Sequence, residues 1–200
     1  MSSGTDNWIA IEALPDDLQA CVRFHGHVCP GLLIGYRAAK AGLEALAAER
    51  AGDEELIAVV ENDSCAVDAV QVLTGCTFGK GNLFFRDYGK QVFTFAERRT
   101  GRAARVSLRR RDVTPAEAKL PEAERRARRV RHLLRAKTGK ILSVKPCHLE
   151  LPDEAEIRSS VVCDHCGENV MESRARHVAG KTLCIPCAAR VETLASNQNR

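Results

Sequence analysis

Four cysteines limit what the end of this chain can fold into. Cys163 and Cys166 stand two residues apart, Cys184 and Cys187 do the same, and seventeen residues separate the pairs. Each C-x2-C turn aims two thiolates at one point, and a closed tetrahedron of thiolates is how proteins hold structural zinc. Two pairs at this spacing read as one zinc site, not as a redox dithiol or two unrelated pairs. Gly167 follows the first pair, where a knuckle needs an unusual backbone angle. Ala179-Gly180-Lys181 has the composition of a hairpin tip, and the second pair opens an alanine-rich helix, Ala188 to Ala195. Knuckle, hairpin and helix N-terminus together make a treble clef. His165 and His177 lie in the same stretch, but four cysteines already fill the coordination shell, so both read as solvent-facing or packing residues.

The rest of the chain is long enough for one domain, because 200 residues fit one domain plus a small appendage. The apolar fraction of 44% supports a core of ordinary size, and the aromatic fraction of 4% means that Val, Leu, Ile and Ala must fill it. No run approaches the roughly 18 apolar residues of a membrane span. The N-terminal stretch is polar and acidic, without the apolar centre of a signal peptide, so the reading is cytoplasmic. In that compartment nine cysteines favour metal or thiol chemistry over disulfides. Cys21, Cys29, Cys65, Cys76 and Cys147 remain outside the zinc module. The net charge of +4 conceals a split: residues 98–140 hold sixteen Lys/Arg against four Asp/Glu. A segment so basic can meet nucleic acid, an acidic partner or the acidic surface of a second copy.

Pro15-Asp16-Asp17 opens a first helix, and a longer one is expected from Pro30 to about Glu49. Leu56–Val60 reads as a buried strand. Ser64 is a plausible N-cap for a helix through about Leu73. Leu83–Phe85 and Gln91–Phe95 look like a hairpin around Tyr88-Gly89, with Arg102–Leu108 as the third strand of a meander. Thr114-Pro115-Ala116-Glu117 has the form of a capping box. A helix from Glu122 to about Lys137 is expected to end at Gly139, followed by a strand at Ile141–Val144. Pro146–Ser160 is acidic and polar, and reads as a linker. The expected class is α+β, with helices packed on a mostly antiparallel sheet. Residues 1–150 form the core domain, and 151–200 the linker and the finger.

The densest chemistry lies in two stretches. In Phe24-His25-Gly26-His27-Val28-Cys29-Pro30-Gly31, His25 and His27 point the same way if the segment is extended. Cys29 precedes a helix N-terminus, which lowers a thiol's pKa. In Glu61-Asn62-Asp63-Ser64-Cys65, a carboxylate and a thiol sit at a strand end. Two readings follow. His25, His27 and Cys65 could hold a transition metal (zinc, nickel or iron), with Cys29 near enough to join or replace a ligand. Alternatively Cys29 or Cys65 is a catalytic nucleophile with a histidine as base. The bland reading makes the histidines local hydrogen-bonders and the cysteines small buried hydrophobes. Gly79-Lys80-Gly81 lacks the spacing of a nucleotide loop and reads as a turn that needs glycine.

These stretches resemble the FmdE family, which takes its name from a component of formylmethanofuran dehydrogenase. The first motif runs on through Gly35-Tyr36-Arg37. The second is Asn62-Asp63-Ser64-Cys65-Ala66-Val67-Asp68-Ala69 with Thr74-Gly75-Cys76-Thr77. Gly79-Lys80-Gly81-Asn82-Leu83 and Asp87-Tyr88-Gly89-Lys90 continue the match, which covers about residues 18–145. The C-terminal module is similar to the treble-clef finger that some members append. The resemblance implies an α+β core, an intertwined homodimer, metal-linked His and Cys residues, and association with a molybdenum or tungsten enzyme handling one-carbon units. It does not assign that reaction to this chain, which has no ferredoxin-like cysteine run. An enzyme-like metal protein or accessory is one expectation. The other is a regulatory or interaction protein using the finger and the basic segment. For the latter, residues 98–111 lack the interleaved aromatics that stack on bases, so only weak, salt-sensitive nucleic-acid binding is expected.

Overall fold

The computed structural model describes residues 10–198, with side-chain surroundings through residue 191. The chain divides into two compact units, Met1–Ala155 and Glu156–Arg200.

In the first unit, β1 (Leu56–Val60) is buried at all five positions because both faces of its sheet are covered. Leu56, Ala58 and Val60 face a large helix-side core, whereas Ile57 and Val59 join a smaller rear cluster with Ala96 and Ala103. This alternation turns a continuous apolar run into a two-sided strand. The sheet order is β2-β1-β3-β4-β5, with β2 at Leu83–Phe85, β3 at Val92–Glu97, β4 at Ala103–Leu108 and β5 at Leu142–Cys147. All pairings are antiparallel except β1 with β2. The fold is therefore α+β on a mostly antiparallel sheet.

The expected hairpin around Tyr88-Gly89 does not form. β2 and β3 flank β1 on opposite sides, since a strand buried on both faces needs a neighbour at each edge. Residues 86–91 instead cross over the C-terminal end of β1. Arg86 N–H donates to Val60 O, Lys90 N–H donates to Glu61 O, and the Asn62 amide donates to Lys90 O at 2.7 Å.

The helices follow their caps. α1 (Asp16–His25) starts after Pro15, buries Leu18, Cys21 and Val22, and stops at Gly26, whose φ of +97° is one that glycine adopts without a steric penalty. α2 (Pro30–Leu46) has Cys29 as its N-cap and proline in its first turn, and ends three residues earlier than expected, at a left-handed Ala47. α3 (Ala66–Thr74) starts after Cys65, not at Ser64. The Ser64 hydroxyl is drawn instead to Asn62 Oδ1 at 2.7 Å. α2 and α3 meet backbone to backbone: a Cβ on Gly35 would lie 2.0 Å from the Ala66 carbonyl oxygen. Only glycine permits that approach, and it brings the first turns of the two helices together.

Thr114 caps a single short helix, α4 (Pro115–Ala118), through the Glu117 N–H. The Glu117 carboxylate pairs with Arg111, so the reciprocal half of the expected capping box is absent. α5 (Glu122–Arg135) buries Ala127, Val130 and Leu133 and ends before Gly139, which sits inside a further short turn of helix, α6 (Thr138–Ile141). Arg37 on α2 caps α5 by donating to Leu133 O and, at 2.8 Å, to Ala136 O.

The stretch read as a linker is half pinned. Leu149 and Leu151 pack on the rear cluster, Arg98 donates to Pro152 O at 2.7 Å, and Ala155 N–H donates to Glu54. The division thus falls after Ala155 instead of after residue 150.

In the second unit, β6 (Ser160–Val162) pairs with β7 (Asn169–Met171), and β8 (Arg176–Val178) pairs with β9 (Lys181–Leu183). Ala179 and Gly180 both have positive φ, the signature of a tight type I′ hairpin turn. α7 (Ile185–Gln198) follows Cys184 directly.

Candidate metal centres

Cys163, Cys166, Cys184 and Cys187 converge, with their sulfurs within 4.8 Å of one another. The first two come from the loop between β6 and β7, which Gly167 closes with φ +75°. The second two come from the end of β9 and the first turn of α7. The Cys166 and Cys184 sulfurs are 3.9 Å apart, and the Cys184 N–H donates to the Cys163 sulfur at 3.3 Å. Backbone N–H groups of Cys166 and Cys184 hold the Cys163 thiol down at about 6. The neighbouring thiols, Cys184 first, push Cys187 up to about 12. Four sulfurs this close cannot all ionise without a cation among them, and a divalent ion supplies the missing charge. His165 lies at the edge, with Nδ1 3.6 Å from the Cys187 sulfur, and His177 bonds Thr182.

A second group forms between the end of α1 and the start of α2. Donor atoms of His25, His27 and Cys29 lie within 4.8 Å of one another. Gly26 lets the chain leave α1 sharply, so the two imidazoles come together with ring centroids 4.5 Å apart. His25 is mostly buried, and its Nδ1 lies 2.7 Å from Asp68 Oδ2. The carboxylate can only accept, so in the neutral ring Nδ1 carries the proton and Nε2 keeps its lone pair. That Nε2 faces the Cys29 sulfur at 3.8 Å. A histidine fixed by a carboxylate on one nitrogen with the other turned to a soft donor is the arrangement found around protein-bound transition metals.

Cys65 is not one of the three. It stands beside Cys29: a Cβ on Gly31 would lie 3.7 Å from the Cys65 sulfur and 3.8 Å from that of Cys29. Spacing alone pairs the histidines with Cys65, but the cap position of Cys29 at the head of α2 carries its sulfur back toward His25. The expected low pKa of Cys29 is not found either. Burial raises it, outweighing the Leu32 and Gly31 N–H groups of the helix start, and Cys65 raises it further. A buried thiol of this kind is a poor free nucleophile at neutral pH.

Asp68 is the residue that sequence reasoning passes over. It sits three positions after Cys65 in the first turn of α3, where a carboxylate is common for capping reasons alone. The other singled-out groups are structural. Glu61 is buried and paired with Arg105, with Oε2 accepting at 3.1 Å. Cys21 and Cys76 are buried, and burial pushes each thiol up to about 11. Cys147 lies against the rear cluster. Lys80 donates to the carbonyls of Gly52 and Asp53, so the glycine loop braces a neighbouring turn. Among the described residues no helix is long and apolar enough to cross a membrane.

The chain is similar to known proteins over most of its length. It is 25% identical to an FmdE-like protein of the tungsten formylmethanofuran dehydrogenase type, from Syntrophus aciditrophicus, whose crystal structure is known. The TM-score is 0.65, and the match covers 94% of this chain and 97% of that one. A protein of Archaeoglobus fulgidus described as a probable S-adenosyl-L-methionine-binding protein is 28% identical over 188 residues. That match takes in 82% of this chain but only 50% of the relative, so the chain spans about half the relative's length. The family model described as "FmdE, Molybdenum formylmethanofuran dehydrogenase operon" matches residues 24–175, a span that begins one residue before His25 and includes Asp68 and the first cysteine pair. With three quarters of its length inside that match, the chain belongs to the FmdE family.

Proposed function

We propose that this protein binds two metal ions and serves as an accessory to a molybdenum or tungsten oxidoreductase of the formylmethanofuran dehydrogenase type. The observation that carries the reading is His25, held by Asp68 at 2.7 Å on one ring nitrogen and facing Cys29 with the other. His25, His27 and Cys29 supply two borderline nitrogens and one soft sulfur, a donor set that suits zinc, nickel or iron. Three protein ligands leave a position open, as catalytic and sensing sites do and closed structural sites do not. Binding draws the proton from the Cys29 thiol, while Asp68 keeps the His25 ring oriented. Cys65 stands next to the site as a neighbouring thiol. The four cysteines of the second unit form a treble-clef finger with structural zinc. A homodimer in the cytoplasm completes the proposal.

The test is metal per chain in protein purified with added zinc, nickel or iron. Wild type is expected to hold two ions, and both His27→Ala and Cys29→Ser one. One ion per chain in wild type under all three metals would overturn the core assignment. Thiol-alkylation rates of Cys29 and Cys65 would then examine the nucleophilic alternative.

A further inference from the structure

The strongest concentration of charge lies away from both cysteine sites. A cleft of about 660 Å³ opens between the chain leaving β4 and the exposed side of α5, and no acidic residue lines it. Arg109, Arg110 and Arg111 form one wall, and Arg129, Arg131 and Arg135 form the other. Lys137 and Lys140 close one end. The floor is apolar, from Leu108 and Ile141.

Most of this charge is not neutralised within the chain. Arg111 pairs with Glu117, and Arg110 stands 3.7 Å from Asp112 where both are almost fully exposed. The Arg109 guanidinium is anchored by the Leu142 carbonyl at 3.0 Å, which points its charge but does not cancel it. Arg129 is half-buried, yet it makes no hydrogen bond or ion pair with any described residue. Burial and then Arg111 hold its pKa below the usual arginine value, and burial, Arg111 and Arg129 do the same to His132. Packing like charges together while leaving five guanidinium donors unused is costly unless an anion enters. A second hollow of about 600 Å³ shares Arg109, Arg110, Arg111 and Arg129, so the same arginines face open space on both sides.

We propose that this cleft binds a small, multiply charged anion, a molecule carrying two or more phosphate groups. The volume falls within the roughly 300–1,000 Å³ typical of small-molecule sites. Two arginine walls facing each other across a cavity suit concentrated charge, because guanidinium forks grip phosphate oxygens in pairs. An extended nucleic-acid strand fits less well. His132 is the only ring in the lining, so successive bases find no stacking platform. This inference does not depend on the metal reading.

The test is a calorimetric titration of the full-length chain with sodium triphosphate at an ionic strength of about 0.15 M, where surface charge is largely screened. Saturable one-to-one binding is expected, with sulfate at matched ionic strength competing poorly. Arg129→Gln is expected to weaken triphosphate about tenfold, as loss of a charge-assisted hydrogen bond does. Arg131 is exposed, so Arg131→Gln leaves folding intact and is expected to shift affinity the same way; it decides the matter if Arg129→Gln fails to fold. Absence of saturable binding, equal competition by sulfate, or unchanged affinity in both folded variants overturns the proposal. Tighter binding of a short single-stranded RNA than of triphosphate does so as well, and makes the cleft a nucleic-acid groove.

Discussion

Asp68 touches no expected ligand except His25, yet the core site turns on it. Its carboxylate fixes which His25 nitrogen faces Cys29. Asp68→Ala is expected to weaken core metal binding by about 10–100-fold, the usual loss when the partner of a ligating histidine goes. Competition with a chelator measures this, while the finger's metal stays in place. Unchanged core affinity would mean that Asp68 merely caps α3. Cys29 and Cys65 separate in the same assay: Cys29→Ser is expected to lose the core ion and Cys65→Ser to retain it. Motif spacing, a local property, is enough to put His25, His27 and both cysteines within one neighbourhood. It does not rank the two thiols or reveal Asp68. Those facts depend on how α2 and α3 cross, and that contact joins residues more than thirty positions apart.

At the scale of elements, the site exists because two helices begin at the same place. Gly35 sets that contact, with no room for a Cβ against the Ala66 carbonyl. Gly35→Ala is expected to destabilise the core unit by about 1–3 kcal/mol, the usual cost of overpacking, since backbone must move to accept the methyl. Its core metal should also bind more weakly. A urea midpoint equal to wild type would contradict this. The finger depends on its ion in a different way. Its buried apolar cluster contains Leu183 and Ala188 besides the cysteines Cys163 and Cys187, too little to offset chain entropy unaided. Cys166→Ser is expected to release one metal and unfold the second unit while the first keeps its helical circular dichroism. Stoichiometric retention of that metal would count against the four-cysteine assignment. Most elements are legible because they carry local signals: the caps of α1 and α2, the apolar run of β1, the paired cysteines. The path of β2 is not. Turn composition at Tyr88-Gly89 describes a bend equally well in a hairpin or a crossover, and the need of β1 for neighbours at both edges decides between them.

For the whole molecule, family membership and the two cysteine groups point the same way, to a metal protein with one closed and one open site. The proposed homodimer has a direct check. Exposed Phe24 and Phe78, at 60% and 65%, leave apolar surface that a second copy would cover. Light scattering is expected to give about twice the 21.9 kDa of one chain, and a monomer at micromolar concentration would contradict the dimer. The split between a basic middle segment and an acidic remainder is visible in composition. That the basic side chains wall a cleft is not, because it takes β4 and α5 to bring Arg109–Arg111 opposite Arg129–Arg135. The central claim, a metal ion held by His25, His27 and Cys29, is tested most directly by anomalous X-ray scattering from crystals grown with zinc, nickel or iron. The account predicts two peaks per chain, one among the four finger cysteines and one bonded to His25 Nε2, His27 and the Cys29 sulfur. A single peak at the finger, with no scatterer between His25 and Cys29, would contradict it.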